Sequence, residues 1–231
     1  MAADIPIVTP PSRQMTVPKV MVWVNKSPMR AGWYDGLMDD SWLTDTPWQV
    51  RLLPNMVGLE SRSLAEINTI VIHATELPNL AKARQFAEEI HYPGSQTGNS
   101  GHFYIDLDGT VECWVTPERV AHHVKGYNRP SIGIELVHPG RYPNWLSSDH
   151  QNWDTPYPEA QIEALIDLIN QLHVRLPQLH HIAGHDEMDQ SFVAASDDPN
   201  KKVRRKLDPG PTFPWDQIYT NTPLTPLIAR D

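Results

Sequence analysis

Two of the eleven histidines in this sequence stand where an apolar run ends. NTIVIHAT (residues 68–75) carries Thr69, Ile70, Val71 and Ile72 straight into His73, and HIAGH (residues 181–185) closes on His185. A short continuous run of β-formers reads as a strand buried on both faces. Open α/β sheets keep their sites at the C-terminal rim of such strands, so both imidazoles are aimed at a rim. A carboxylate, Asp208, follows in KLDPGPTFPW (residues 206–215), where Pro209 and Pro211 hold the loop at little entropic cost. Two imidazoles and one carboxylate, with water in a fourth position, are the usual composition of a catalytic zinc site. Closed structural zinc sites favour cysteines, and Cys113 alone cannot build one. The intervals between the three residues match no compact motif, so spacing alone does not select them as a set, and a single histidine is more often a packed or solvated side chain than a ligand.

The elements that must position these side chains alternate in type. After the first strand, residues 78–91 place Leu80, Ala83, Ala87 and Ile90 at helical spacing, which predicts a helix with one face on a sheet. A loop rich in Gly, Ser and Asn (residues 94–101) leads into HFYIDLDGTVECWV (residues 102–115), a hairpin turning at Asp108 and Gly109. SIGIELV (residues 131–137) is another apolar strand and carries Glu135 near its end. Residues 138–158 form a long loop with Tyr142, Trp145, Trp153 and Tyr157, and loops of that length are often functional. Pro158 opens the clearest helix, with Ile162, Leu165, Ile166, Ile169, Leu172 and Leu176 on one stripe. The strand at 181–185 follows, then a charged loop, then the proline-rich segment, whose composition forbids regular structure. The order β, α, ββ, β, α, β predicts an α/β fold, a single mixed β-sheet flanked by helices.

Residues 1–60 differ from the rest. Pro10, Pro11 and Pro18 punctuate them, MVWV (residues 21–24) suits a short strand, and Trp33, Trp42 and Trp48 sit among Asp, Gly and Thr. An irregular N-terminal extension over 1–60 is expected, packed on the main domain with tryptophans as anchors; a ligand-contacting flap is the alternative. The main domain is expected over 61–220 and a tail over 221–231.

Composition bounds the function classes. A formal charge of −9 argues against a general nucleic-acid or anionic-membrane binder, which needs a basic footprint. With one cysteine no intramolecular disulfide forms, which suits a reducing compartment. The first residues lack an apolar signal-peptide core, and no run reaches membrane-spanning length. If Met1 is the natural start, a cytoplasmic location is expected; a signal peptide removed upstream would place the protein in the periplasm or outside. A monomer is expected.

Five blocks carry a resemblance: IVIHAT (70–75), SGHFYIDLDGTVECWV (100–115), AHHVKGYNRPSIGIELV (121–137), AGHDEM (183–188) and KLDPGPTFPW (206–215). In this order they resemble the type 2 N-acetylmuramoyl-L-alanine amidase family, the zinc amidase fold shared with AmpD, phage amidases and peptidoglycan recognition proteins. The likeness covers about residues 65–216. It implies one zinc ion per chain on His73, His185 and Asp208, with Glu135 as catalytic acid/base and Lys206 steadying the developing oxyanion. His123 matches a pocket histidine near the substrate. The implied substrate is a muropeptide or peptidoglycan, cut at the amide between the lactyl group of N-acetylmuramic acid and L-alanine of the stem peptide. The family usually has a short link between the second histidine and the final aspartate; here residues 186–205 intervene, an insertion able to reshape the peptide-binding wall.

Blander readings stand beside these. Glu135 suits a surface ion pair, and Lys206 belongs to a basic run with Lys201, Lys202, Arg204 and Arg205 that would ordinarily solvate a loop. Arg204 or Arg205 also suits a clamp on a stem-peptide carboxylate, and Trp145, Trp153 and Tyr142 suit either a groove wall or loop packing. DLDGT (residues 106–110) copies a nucleophile motif of haloacid dehalogenase-type phosphatases, with Asp197 and Asp198 as a magnesium pair, but TVECWV continues as a strand where that motif needs a helix-bearing loop. A non-catalytic recognition module is the remaining competitor; such receptors typically lose a zinc ligand, and this chain keeps all three.

Overall fold

A computed structural model describes residues 23–24, 27–28 and 40–228. Its centre is two strands with few polar side chains. β4 (Thr69–Ala74) is buried along its whole length, and β7 (Ser131–Leu136) is buried except at Glu135. They pair in parallel, a pattern that demands cover on both faces. Around them runs a seven-stranded sheet in the order β11 (Thr225–Pro226), β8 (His181–Gly184), β4, β7, β5 (Phe103–Ile105), β6 (Val111–Cys113), β3 (Gln49–Val50). From β11 to β5 every neighbour is parallel; β6 turns back on β5 and β3 follows β6. The result is a mostly parallel mixed sheet flanked by helices.

α1 (Leu80–Glu88) starts at Asn79, whose side chain accepts the Lys82 N–H at 2.9 Å. It buries Ala83 and Ala87, but Ile90 lies beyond its end and is exposed, so the predicted stripe stops one turn short. α2 (Glu159–Arg175) buries Ile162, Leu165, Leu168, Ile169 and Leu172, with Pro158 as its N-cap. Gln161, on the same face, donates to the carbonyls of Ile105 and Val137 at 2.9 and 3.0 Å and so ties the helix to β5 and the end of β7. The turn joining β5 to β6 holds Gly109 at φ +84°, a conformation glycine adopts without strain.

The N-terminal segment enters the core. Trp42 and Trp48 are buried and stack at 6.1 Å, Trp48 meets Phe103 edge-on, and the Arg175 guanidinium covers both indoles. β1 (Trp23–Val24), within the strand expected over 21–24, pairs with β2 (Ser27–Pro28); Met21, Val22 and Trp33 lie outside the described residues. Residues 186–205 are more ordered than a charged loop. After α3 (His185–Met188), β9 (Phe192–Ala194) and β10 (Lys202–Arg204) form an antiparallel hairpin pinned by buried Val203. α4 (Trp215–Asn221) leads into β11, which pairs with β8, so the strand at His181 is not the last. Among the described residues, no helix is long and apolar enough to cross a membrane.

Candidate metal centre and cleft

Register brings the strand-borne groups together. In the parallel ladders His73 pairs with Glu135 and Glu135 with Tyr104, which sets the three side by side at the C-terminal ends of β4, β7 and β5. Ile72 pairs with Gly184 of β8, so His185, the first residue of α3, emerges beside His73. Asp208 arrives from a loop. Its carbonyl accepts the Asp186 N–H at 2.8 Å, and the Tyr157 hydroxyl donates to the next carbonyl, Pro209, at 2.6 Å.

His73 Nδ1, His185 Nδ1 and Asp208 Oδ2 form a triangle with edges of 3.0, 3.1 and 3.0 Å. All three residues are buried. Two nitrogens and a carboxylate oxygen at this spacing suit a single cation with bonds of about 2.0–2.2 Å. A second observation supports the fit: among the described residues Asp208 Oδ1 is buried with no hydrogen-bond partner, a costly state for a carboxylate without a neighbouring positive charge. Burial works to raise the Asp208 carboxyl, but His185 and Lys206 outweigh it and hold it well below the usual carboxylate range. The His73 imidazole is pushed down to about 4, by burial first and then by His185, against the pull of Asp208. The triangle therefore offers an uncharged imidazole and an ionised carboxylate at neutral pH.

Glu135 stands beside it in a different state. Burial, and then the charge of Asp208, push its carboxyl up to about 8, against the opposing influence of Lys206. Gly101 makes the room: a Cβ there would lie 2.8 Å from Glu135 Cγ. Glu135 has no ion-pair partner among the described residues within 4.0 Å, so the surface-pair reading fails. Tyr104 stacks on Trp114 at 3.5 Å, accepts the Gly101 N–H at 3.1 Å, and is kept in its phenol form by burial and by Glu135.

These groups floor a cleft of about 1220 Å³. It is lined by Phe86 edge-on to Trp145, whose indole donates to the Glu76 carbonyl at 3.0 Å, and by Tyr92 edge-on to His122, with Lys125. His123, Lys206 and Arg205 also line it. Arg205 is ion-paired with Asp189, whereas Arg204 turns away to the carbonyls of Asp186 and Asp189. Lys201 reaches Ser148 Oγ at 3.1 Å, so the basic run divides into separate jobs. Trp153 is buried against His138, outside the cleft.

One feature of the site leaves no signal in the amino-acid sequence. Glu76, with φ +48°, and Arg141 form a buried bidentate pair, at 2.7 and 2.9 Å. Arg141 Nη1 also donates to the Arg204 carbonyl at 2.9 Å, tying the end of β4 to the strand that leads into Lys206 and Asp208. A close Glu–Arg pair so far apart in sequence leaves no local pattern. The phosphatase reading finds no support: the turn at Asp106 runs into antiparallel β6, and Asp197 is engaged by the Ser148 N–H and hydroxyl.

The N-acetylmuramoyl-L-alanine amidase family matches residues 63–211, and the chain belongs to that family. N-acetylmuramoyl-L-alanine amidase AmiD of Escherichia coli (strain K12) is 35% identical over 91 residues, covering 39% of this chain and 27% of AmiD. The endolysin of Klebsiella phage KP32 is 35% identical over 85 residues, 37% of this chain and 52% of the endolysin. The chain thus matches about half or less of these relatives' lengths. Its fold is similar to a solved structure of AmpD, with a TM-score of 0.55 at 22% identity over 80% of this chain and 99% of that one.

Proposed function

We propose that this chain is a zinc-dependent N-acetylmuramoyl-L-alanine amidase, with residues 61–220 as its catalytic unit. The observation that carries this reading is the buried His73–His185–Asp208 triangle with a protonated carboxyl, Glu135, beside it in an open cleft. A zinc ion held by the triangle supplies Lewis-acid activation of water and of the scissile carbonyl. The remaining steps belong to the chain. Glu135, in its ionised form, takes a proton from the attacking water as the new C–O bond forms, then gives it to the amide nitrogen as the C–N bond breaks. A zinc ion in the triangle would lower the Glu135 carboxyl from about 8 toward neutrality, a range suited to both transfers. Lys206 places a positive charge where the tetrahedral oxyanion develops. The products are the lactyl carboxylate of N-acetylmuramic acid and a stem peptide with a free L-alanine amine.

Arg205 and Trp145 are assigned to substrate, the first as a partner for a stem-peptide carboxylate and the second as an apolar wall. The cleft exceeds the roughly 300–1,000 Å³ of small-molecule pockets, which favours an extended muropeptide. We place the enzyme in cytoplasmic recycling of 1,6-anhydro-muropeptides, acting as a monomer; cleavage of intact peptidoglycan, in keeping with the phage endolysins among its relatives, is the runner-up. The test is mass spectrometry of the purified protein incubated with anhydro-muropeptides and with intact sacculi, with and without chelator. Release of stem peptide that chelator abolishes is expected. No release from either substrate would remove the amidase reading, and release that survives chelation would remove the metal.

A further inference from the structure

Resting on the metal-centre reading above, we propose that His123 is a positioning residue: together with Ser131 it fixes the proton of His73 on Nε2 and so presents a bare Nδ1 to the cation. The chain of hydrogen bonds has a readable direction because it ends on a carbonyl, which only accepts. Ser131 Oγ lies against the Tyr127 carbonyl and donates to it. Its lone pairs then face His123 Nε2 at 3.2 Å, so that nitrogen carries the hydrogen. His123 is half-buried, carries that one hydrogen as a neutral imidazole, and stands edge-on to His102 with ring centroids 5.7 Å apart. His123 Nδ1 is therefore an acceptor, and it lies 3.0 Å from His73 Nε2, which must donate. A neutral His73 with its hydrogen on Nε2 has none on Nδ1.

The consequence reaches the triangle. His73 Nδ1 then faces Asp208 Oδ2 at 3.1 Å and His185 Nδ1 at 3.0 Å with no proton of its own to offer. Two of the three converging atoms are lone pairs by construction, an arrangement that repels in isolation and attracts a cation. An imidazole that ligates a metal through one nitrogen is commonly held by a hydrogen bond from the other, which sets both tautomer and ring orientation. Here the holding group is a second histidine, where carboxylates and carbonyls are the usual partners. The backbone leaves room for it: a Cβ on Gly133 would sit 2.7 Å from His123 Cγ and Nδ1. The same glycine donates its N–H to His102 Nδ1 at 3.0 Å and accepts the His102 N–H at 2.8 Å, so the wall behind His123 is itself fixed.

The test reads metal affinity and tautomer, neither of which requires turnover. Zn²⁺ binding is measured by competition with a chromophoric chelator for the wild type, His123→Phe and His123→Asn. Phenylalanine keeps the ring and removes the acceptor; asparagine restores an acceptor close to the position of Nδ1. The expected result is affinity about 10–100-fold weaker for His123→Phe, with a large part of the loss recovered in His123→Asn. Long-range ¹H–¹⁵N correlation on the wild type, metal-free and Zn²⁺-loaded, is expected to find the His73 hydrogen on Nε2 in both states. A His73 hydrogen on Nδ1 in the metal-free protein, or His123→Phe binding Zn²⁺ as tightly as wild type, would overturn the proposal. The spectroscopic arm decides even if His123→Phe does not fold. A wild-type protein that binds no Zn²⁺ at all would instead sink the metalloenzyme reading.

Discussion

Glu135 and Asp208 face the same cleft, yet they are held there by different means. Glu135 rides on β7, where its place is set by ladder register with His73 on one side and Tyr104 on the other. Asp208 hangs in a loop after the β9–β10 hairpin, and its place is set by a few polar anchors: the Asp186 N–H, the Tyr157 hydroxyl and, further back, the Glu76–Arg141 pair. A strand-borne group is secured by many equivalent backbone bonds and fails only with the sheet. A loop-borne group depends on individual side chains, each of which can be removed. The strand rim should therefore tolerate changes around it, and the loop wall should not.

The largest expected effect comes from removing a corner of the triangle. His73→Ala should lose bound metal and activity together, measured by metal analysis alongside product release; activity without metal would separate the two. Glu135→Gln comes next, with metal retained and turnover reduced by about 10²–10⁴-fold, the ordinary loss for a general acid/base. An unchanged rate would remove Glu135 from the mechanism.

The loop wall is tested by Arg141→Met, which strands Glu76 in a buried position. A buried pair broken on one side costs about 3–5 kcal/mol, to be read from urea unfolding; Arg141→Met combined with Glu76→Leu should recover part of it. Equal stability of wild type and single variant would mean that the pair holds nothing.

A pH series sharpens the strand side. In chelator-treated protein Glu135 keeps its proton when folded up to about pH 8, whereas unfolded it releases it near 4.5. The folded state then binds the extra proton between these values, so the group's contribution to stability falls as pH rises from about 4.5 to about 8. Metal-free Glu135→Gln should gain on wild type over that window and run parallel outside it. Zinc should draw the window to lower pH, since a nearby cation favours the carboxylate. The smallest effect is expected at Arg205→Ala, which should raise KM with kcat nearly unchanged, as suits a group that binds substrate before and during reaction alike.

The parts legible in the sequence share one property: their signal is local. Apolar runs at 69–72 and 131–137 gave the central strands, helical spacing gave α2, and Asp108 with Gly109 gave the turn. Parts that escaped were non-local or carried weak patterns. The β9–β10 hairpin has three residues on each side and only Val203 buried, too few for alternation to show. Glu76 and Arg141 are joined across 65 residues, and nothing near either predicts the other.

The same division runs through the candidate site. Residue types, strand ends and proline-stiffened loops are properties of short stretches, because backbone preference and side-chain chemistry act over a few residues; they determined that His73, His185 and Asp208 were available. Only the tertiary structure decided that atoms 112 and 135 residues apart meet within about 3 Å, that Glu135 holds its proton to higher pH than Asp208, and that His123 turns one nitrogen toward His73. Those outcomes depend on register, burial and the company of other charges, and each is a property of the assembled core.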